Sequence, residues 1–297
     1  MKKLILLILA AALLLAGCGG AETSAPAEET PSPAPAEETP SPTPTPEGLT
    51  EEFILADRTE EIRDLVAKAA EGASLQDELA RVDARAAKYG EYVAMADTQS
   101  DAAQLAQWPL ALWDAELNSL WTRLKDVLGA DAMKELTAEE VNWIAFRDEA
   151  AAEATEGYRG GSIYPMLYSL ECARLTRNRA YFLASMLARA ISEPFALPER
   201  EICAQYLDTA GTATVFKRLM ITQGVESGYD AVLYVAGTGT IRGTATPAGE
   251  GKILFESDNG GIAAEIMYGW TGASFTVTRS EGGPFGLGAV YILPTAL

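Results

Sequence analysis

Histidine is absent from all 297 residues. With it go the commonest general base, the usual metal ligand and the Ser-His and Cys-His nucleophile systems. Catalysis would have to run on carboxylates, lysine or tyrosine, and no motif organises them, so no active site is nominated and the chain is not expected to be an enzyme. Positive charge is scarce: 23 Lys and Arg face 42 Asp and Glu, a net charge of −19. Such a field repels nucleic acid and anionic lipid head groups and attracts basic proteins or cations. Nucleic-acid binding is thereby excluded. Calcium-loop spacing is also missing; Asp230, Glu256, Asp258 and Asn259 near turns have the ordinary role of bonding their own backbone. Neither a cofactor nor a metal site is expected. Beyond the first residues there is no apolar run of the roughly 20 residues a spanning helix needs.

The chain opens with Lys2 and Lys3, runs through an apolar stretch from Leu4 to Leu15, and reaches Leu15-Ala16-Gly17-Cys18. This is a positive n-region, an h-region and a small-residue cleavage site, read as a signal peptide over residues 1–17. The Leu-Ala-Gly-Cys order resembles the lipobox of bacterial lipoproteins. That resemblance implies cleavage before Cys18, a diacylglycerol thioether on its sulfur, and a mature chain anchored in the cell membrane on the extracytoplasmic face. Each buried acyl methylene contributes about 0.8 kcal/mol, so a multiply acylated cysteine holds stably where one chain does not.

Residues 18–48 comprise Cys18 and a Pro, Ala, Glu, Thr and Ser tract, in which Pro26-Ala27-Glu28-Glu29-Thr30-Pro31-Ser32-Pro33 recurs from Pro35 to Pro42. Nothing there can build a core, and proline favours extended conformers without internal hydrogen bonds. A disordered stalk is expected, reaching about 3.1 Å per residue where extended.

From Leu49 apolar residues recur at helical steps: Ile62, Leu65 and Val66, then Leu75, Leu79 and Val82. After Pro109 one stripe joins Leu110, Trp113, Leu117, Leu120, Trp121, Leu124 and Leu128. Leu136-Thr137-Ala138-Glu139-Glu140-Val141 has the form of a capping box with a hydrophobic staple, predicting a helix start at Thr137. A last long helix is predicted from about Ile163 to Ile191, capped by Ser162 and tolerating Pro165 in its first turn. Beyond about Gly211 the period changes to two, as in Ile262, Ala264, Ile266, Tyr268 and Trp270. About six or seven short strands separated by glycine-rich turns are expected. The expected fold is a multidomain α and β chain: an N-terminal antiparallel helical bundle over 49–195, a connector over 196–211, and a small antiparallel β barrel or sandwich over 212–297.

Four elements of the helical part carry a resemblance: Trp113-Asp114-Ala115-Glu116-Leu117-Asn118, Trp143-Ile144-Ala145-Phe146-Arg147-Asp148, Gly160-Gly161-Ser162 and Leu175-Thr176-Arg177-Asn178-Arg179. In order and spacing they resemble the LprI-type lysozyme-inhibitor family, over about residues 75–187. The resemblance implies an all-α domain that binds a protein partner, a lysozyme or another basic cell-wall-active protein. It singles out Glu116, Asn118, Trp143, Arg147, Asp148, Gly160, Gly161, Thr176 and Arg179. The alternative is an envelope scaffold or adaptor without inhibitory activity.

Two readings of the Arg147-Asp148 pair stay open: a contact for a lysozyme cleft, or a buried network with Glu116, Asn118, Arg177 or Arg179 that fixes helix crossings. Trp113, Trp121 and Trp143 have apolar neighbours at helical spacing and are expected in the core. Many family members carry a cysteine a few residues after the Arg-Asp pair. Here Glu149-Ala150-Ala151 takes that place, which implies that Cys172 is free or paired with Cys203. From the residues alone, a disulfide between these two and a pair of buried thiols remain equal readings.

Overall fold

The computed structural model describes residues 49–209, 215–224 and 227–297. The signal, Cys18 and the stalk lie outside the described residues, as does the expected start of the β part at residue 212.

Among the described residues seven helices come first: α1 Glu51–Leu55, α2 Thr59–Ala70, α3 Leu75–Met95, α4 Gln99–Leu105, α5 Gln107–Val127, α6 Ala130–Ala154 and α7 Tyr164–Ile191, with a 3-10 turn Glu156–Tyr158 before the last. Hydroxyls begin three of them. The Oγ atoms of Thr50, Ser74 and Thr98 accept the amides of Phe53, Asp77 and Asp101 at 3.1–3.2 Å, removing orphan donors from each first turn. The stripe after Pro109 behaves as predicted: Trp113, Leu117, Leu120 and Leu124 are buried, and Leu110, Trp121 and Leu128 pack against them. α5 and α7 lie side by side at the centre, and α6 packs on α7.

Two predicted caps are corrected. The helix expected to start at Thr137 starts at Ala130. Thr137 Oγ1 donates to Met133 O of its own helix at 2.7 Å, and Glu140 is drawn to Arg179 instead of back to the helix start. Burial of Leu136 in register with Trp143 and Phe146 extends the helix through the local start signal. Ser162 does not cap α7 either; its hydroxyl donates to Gln99 Oε1, and Ile163 precedes the helix without a side-chain bond. Pro165 does occupy the first turn.

Nine strands follow: β1 Ala204–Asp208, β2 Lys217–Gln223, β3 Tyr229–Val235, β4 Gly239–Pro247, β5 Lys252–Ser257, β6 Ile262–Gly269, β7 Gly272–Ser280, β8 Val290–Leu293 and β9 Thr295–Ala296. All pairings are antiparallel, in the order β8-β7-β6-β5-β4-β3-β2-β1-β9. Alternate residues such as Leu219 and Ile221, Ile253 and Phe255, and Phe275 and Val277 fill the interior. β8 and β9 are two halves of one stretch divided by Pro294. The first half pairs with β7 and the second with β1, so this stretch joins the two ends of the sheet into a nearly closed barrel. Proline has no amide to give a ladder, and it stands where the partner changes. Gly272 permits the crossing: a Cβ there would lie 2.3 Å from Leu293 O.

β1 falls inside the stretch expected to be a connector. Ala204 and Tyr206 enter the barrel core, while Leu207 joins the helical core together with Leu297. The two parts therefore share packing. Gln205 Nε2 donates to Ala150 O at 2.8 Å, Trp270 Nε1 donates to Pro198 O at 2.8 Å, and Arg218 on β2 pairs with Glu149 and Glu153 on α6.

Candidate functional site

Helix α6 carries Trp143 and, one turn later, Arg147, whose guanidinium lies near the Trp143 ring, with Asp148 next in the chain. Trp143 is buried, with the Arg147 and Arg179 guanidiniums each 5.7 Å from its ring centroid. Arg147 spans three helices. Its Nε donates to Asp148 Oδ1 at 2.9 Å, and its Nη1 reaches Asp114 Oδ1 on α5 at 3.2 Å and Thr176 Oγ1 on α7 at 3.4 Å. Thr176, fully buried, donates its hydroxyl to Cys172 O at 2.8 Å. Burial pushes the Asp114 carboxyl upward against the pull of Arg147.

One helical turn away, Arg179 binds two carboxylates of α6: its Nε donates to Glu140 Oε2 and its Nη1 to Glu139 Oε1, both at 2.8 Å. Burial raises the Glu140 carboxyl even though this arginine opposes the shift. Arg179 also lines a cavity of about 300 Å³ at the junction with the barrel, beside Asn178, Phe182, Arg200 and Trp270.

The structure thus assembles Trp143, Arg147, Asp148, Thr176 and Arg179 and separates the rest. Glu116 is buried in a different cluster with Glu78 and Arg123, between α3 and α5. Asn118 is exposed and donates Nδ2 to Asp114 O at 2.7 Å. Arg177 pairs with Asp83 on α3, at 2.5 and 2.9 Å. Of the partners that the network reading offered for Arg147 and Asp148, Arg179 stands on the same Trp143 ring as Arg147, and helix crossing turns Glu116 and Arg177 to other faces. Gly160 and Gly161 form an exposed turn in which Gly160 adopts a φ of 81° and Gly161 N donates to Tyr158 O at 2.9 Å. A positive φ suits glycine and few other residues.

Cys172 is buried and Cys203 half-buried, and both are free thiols. Of the two readings, the disulfide is not formed: Cys172 faces Tyr168 and Arg147, whereas Cys203 lies beside Arg174. Burial raises the Cys172 thiol to about 11.

Asp114, Glu139 and Glu140 complete the arginine clusters without having been singled out as binding residues. Their signal is weak, since a carboxylate on a helix face is ordinarily a solvated one. Among the described residues no group of three His, Cys, Asp or Glu side chains could hold a metal ion, and no helix is long and apolar enough to cross a membrane. The geometry sets arginines into the seams between helices and turns several of their carboxylate partners toward solvent.

Comparison with curated proteins gives no match, and comparison with solved structures gives none. Residues 93–183, from the end of α3 into α7, match the family model described as lysozyme inhibitor LprI, so the helical part carries an LprI-type segment and the barrel lies outside it.

Proposed function

We propose that this chain is a bacterial surface lipoprotein, held on the extracytoplasmic face of the cell membrane by lipid on Cys18 and the Pro-rich stalk, that binds and inhibits a lysozyme or another basic cell-wall-active protein. The observation that carries this reading is the match of residues 93–183 to the lysozyme-inhibitor family. The net charge of −19 supports it, since an acidic protein steers a basic partner toward itself. The exposed halves of the ion pairs support it as well: Asp114 and Asp148 about Arg147, and Glu139 about Arg179, offer carboxylate oxygens to a cationic surface.

Lysis of a bacterial cell-wall suspension by a panel of lysozymes, with and without the protein at physiological salt, tests this. Dose-dependent, saturable protection is expected. Protection seen only at low ionic strength would reduce the effect to unspecific charge attraction and sink the inhibitory reading. The scaffold reading then takes its place, because the barrel lies outside the family match; binding of envelope components by the barrel would select it.

A further inference from the structure

Among the described residues, helix α6 packs through one side on α7, and its last turns meet the barrel, where Glu149 and Glu153 pair with Arg218. Leu136, Trp143, Phe146 and Ala150 face inward to α7. The opposite side carries Thr137, Ala138, Val141, Ile144 and Ala145, all exposed. Val141 is 64 % exposed and Ile144 46 %, one helical turn apart. Scattered single apolar residues on a surface require no explanation, but these two stand together among alanines on an outer helix.

Charge selects the occupant. Seven carboxylates stand on α6 against two cations, Lys134 and Arg147. The arginines that pair with these carboxylates are withdrawn: the Arg179 and Arg147 side chains are 5 % and 16 % exposed, while Glu139 and Asp148 are each 50 % exposed. An approaching protein therefore meets a small apolar centre with the Asp148 carboxylate one turn beyond Ile144, on a helix of net negative charge. Apolar centres with charged rims are the usual anatomy of protein interfaces.

We infer that the outward face of α6, centred on Val141 and Ile144, is the docking surface for a basic protein. The inference rests on the function proposed above and specifies where that contact is made. Val141 and Ile144 supply desolvated contact at the centre. Asp148, one turn beyond Ile144, and the net negative charge of the helix supply orientation and rate of encounter.

Equilibrium binding of the protein to a basic lysozyme at physiological salt is the test, comparing wild type, the double variant Val141→Ser with Ile144→Ser, and the control Leu254→Ser. Leu254 lies on β5 and is 50 % exposed. None of the substitutions alters charge or empties the core, and circular dichroism checks the fold. A loss of about 30-fold in the double variant is expected, the level at which a contact counts as a hot spot, with the control unchanged. Equal binding by wild type and double variant, or an equal loss in the control, overturns the surface and leaves the proposed function standing. Absence of binding by wild type overturns both.

Discussion

Glu78 and Glu116, both sealed from solvent, share one arginine: Arg123 Nη2 lies 2.6 Å from Glu78 Oε1 and 3.8 Å from Glu116 Oε1. One cation does not neutralise two buried carboxylates. Burial first, and the neighbouring Glu78 charge second, push the Glu116 carboxyl up to about 8 from an ordinary 4.5.

The sign of the resulting pH dependence follows. Between pH 4.5 and about 8 the folded protein retains a proton on Glu116 that the unfolded chain releases. The stabilisation from this group is complete below 4.5 and is lost as pH rises through about 8. Chemical denaturation from pH 5 to 9 should show this decline, and Glu116→Gln should flatten it and add on the order of 2 kcal/mol at pH 9. Parallel profiles for variant and wild type would rule out Glu116 as the titrating group.

Arg179 and Glu140 are both buried and paired. Removing one partner strands the other's charge, so Arg179→Ala should cost about 3–5 kcal/mol in urea denaturation. The double variant Arg179→Met with Glu140→Leu replaces charge by apolar volume and should recover most of that loss. A single-variant cost under about 1 kcal/mol would mean that the pair is solvated like a surface pair.

Only part of this arrangement was legible in the sequence. Trp113 and Trp143 announced themselves as core through helical periodicity, and Arg147-Asp148 stood out as a pair. Asp114 as the partner of Arg147 did not, because a contact between helices depends on their crossing, which no local pattern encodes. The box at Thr137 was a true local signal outweighed by burial of Leu136. β1 was hidden for a different reason: with Ala204 and Tyr206 facing one core and Leu207 the other, it loses the alternation by which a half-buried strand is recognised.

The Cys172 thiol, raised to about 11 and buried, should resist alkylation. The thiolate is the reactive form, so iodoacetamide at pH 8 should label Cys172 far more slowly in folded protein than in urea, as read by peptide mass mapping. Labelling at the unfolded rate, or recovery of Cys172 in a disulfide with Cys203, would contradict the buried free thiol.

Gly272 has a φ of +129° and no room for a Cβ beside Leu293 O, whereas Gly249 has a φ of +120° and open space. Gly272→Ala should therefore lose about 2–4 kcal/mol in thermal denaturation, combining backbone strain with collision. Gly249→Ala should lose only the strain. Equal losses would show that the β7–β8 crossing has slack.

The partition of one stretch between β7 and β1 across Pro294 also bears on how the chain is made. β1 is synthesised before β2 to β8, yet one of its two edges waits for Thr295 and Ala296, which follow them all. During elongation that edge is bare, and the helical core lacks the Leu297 side chain that packs into it. Pairings so distant in sequence form slowly, and unpaired strand edges invite association with other chains. The nascent chain is thus vulnerable until Thr295, Ala296 and Leu297 emerge.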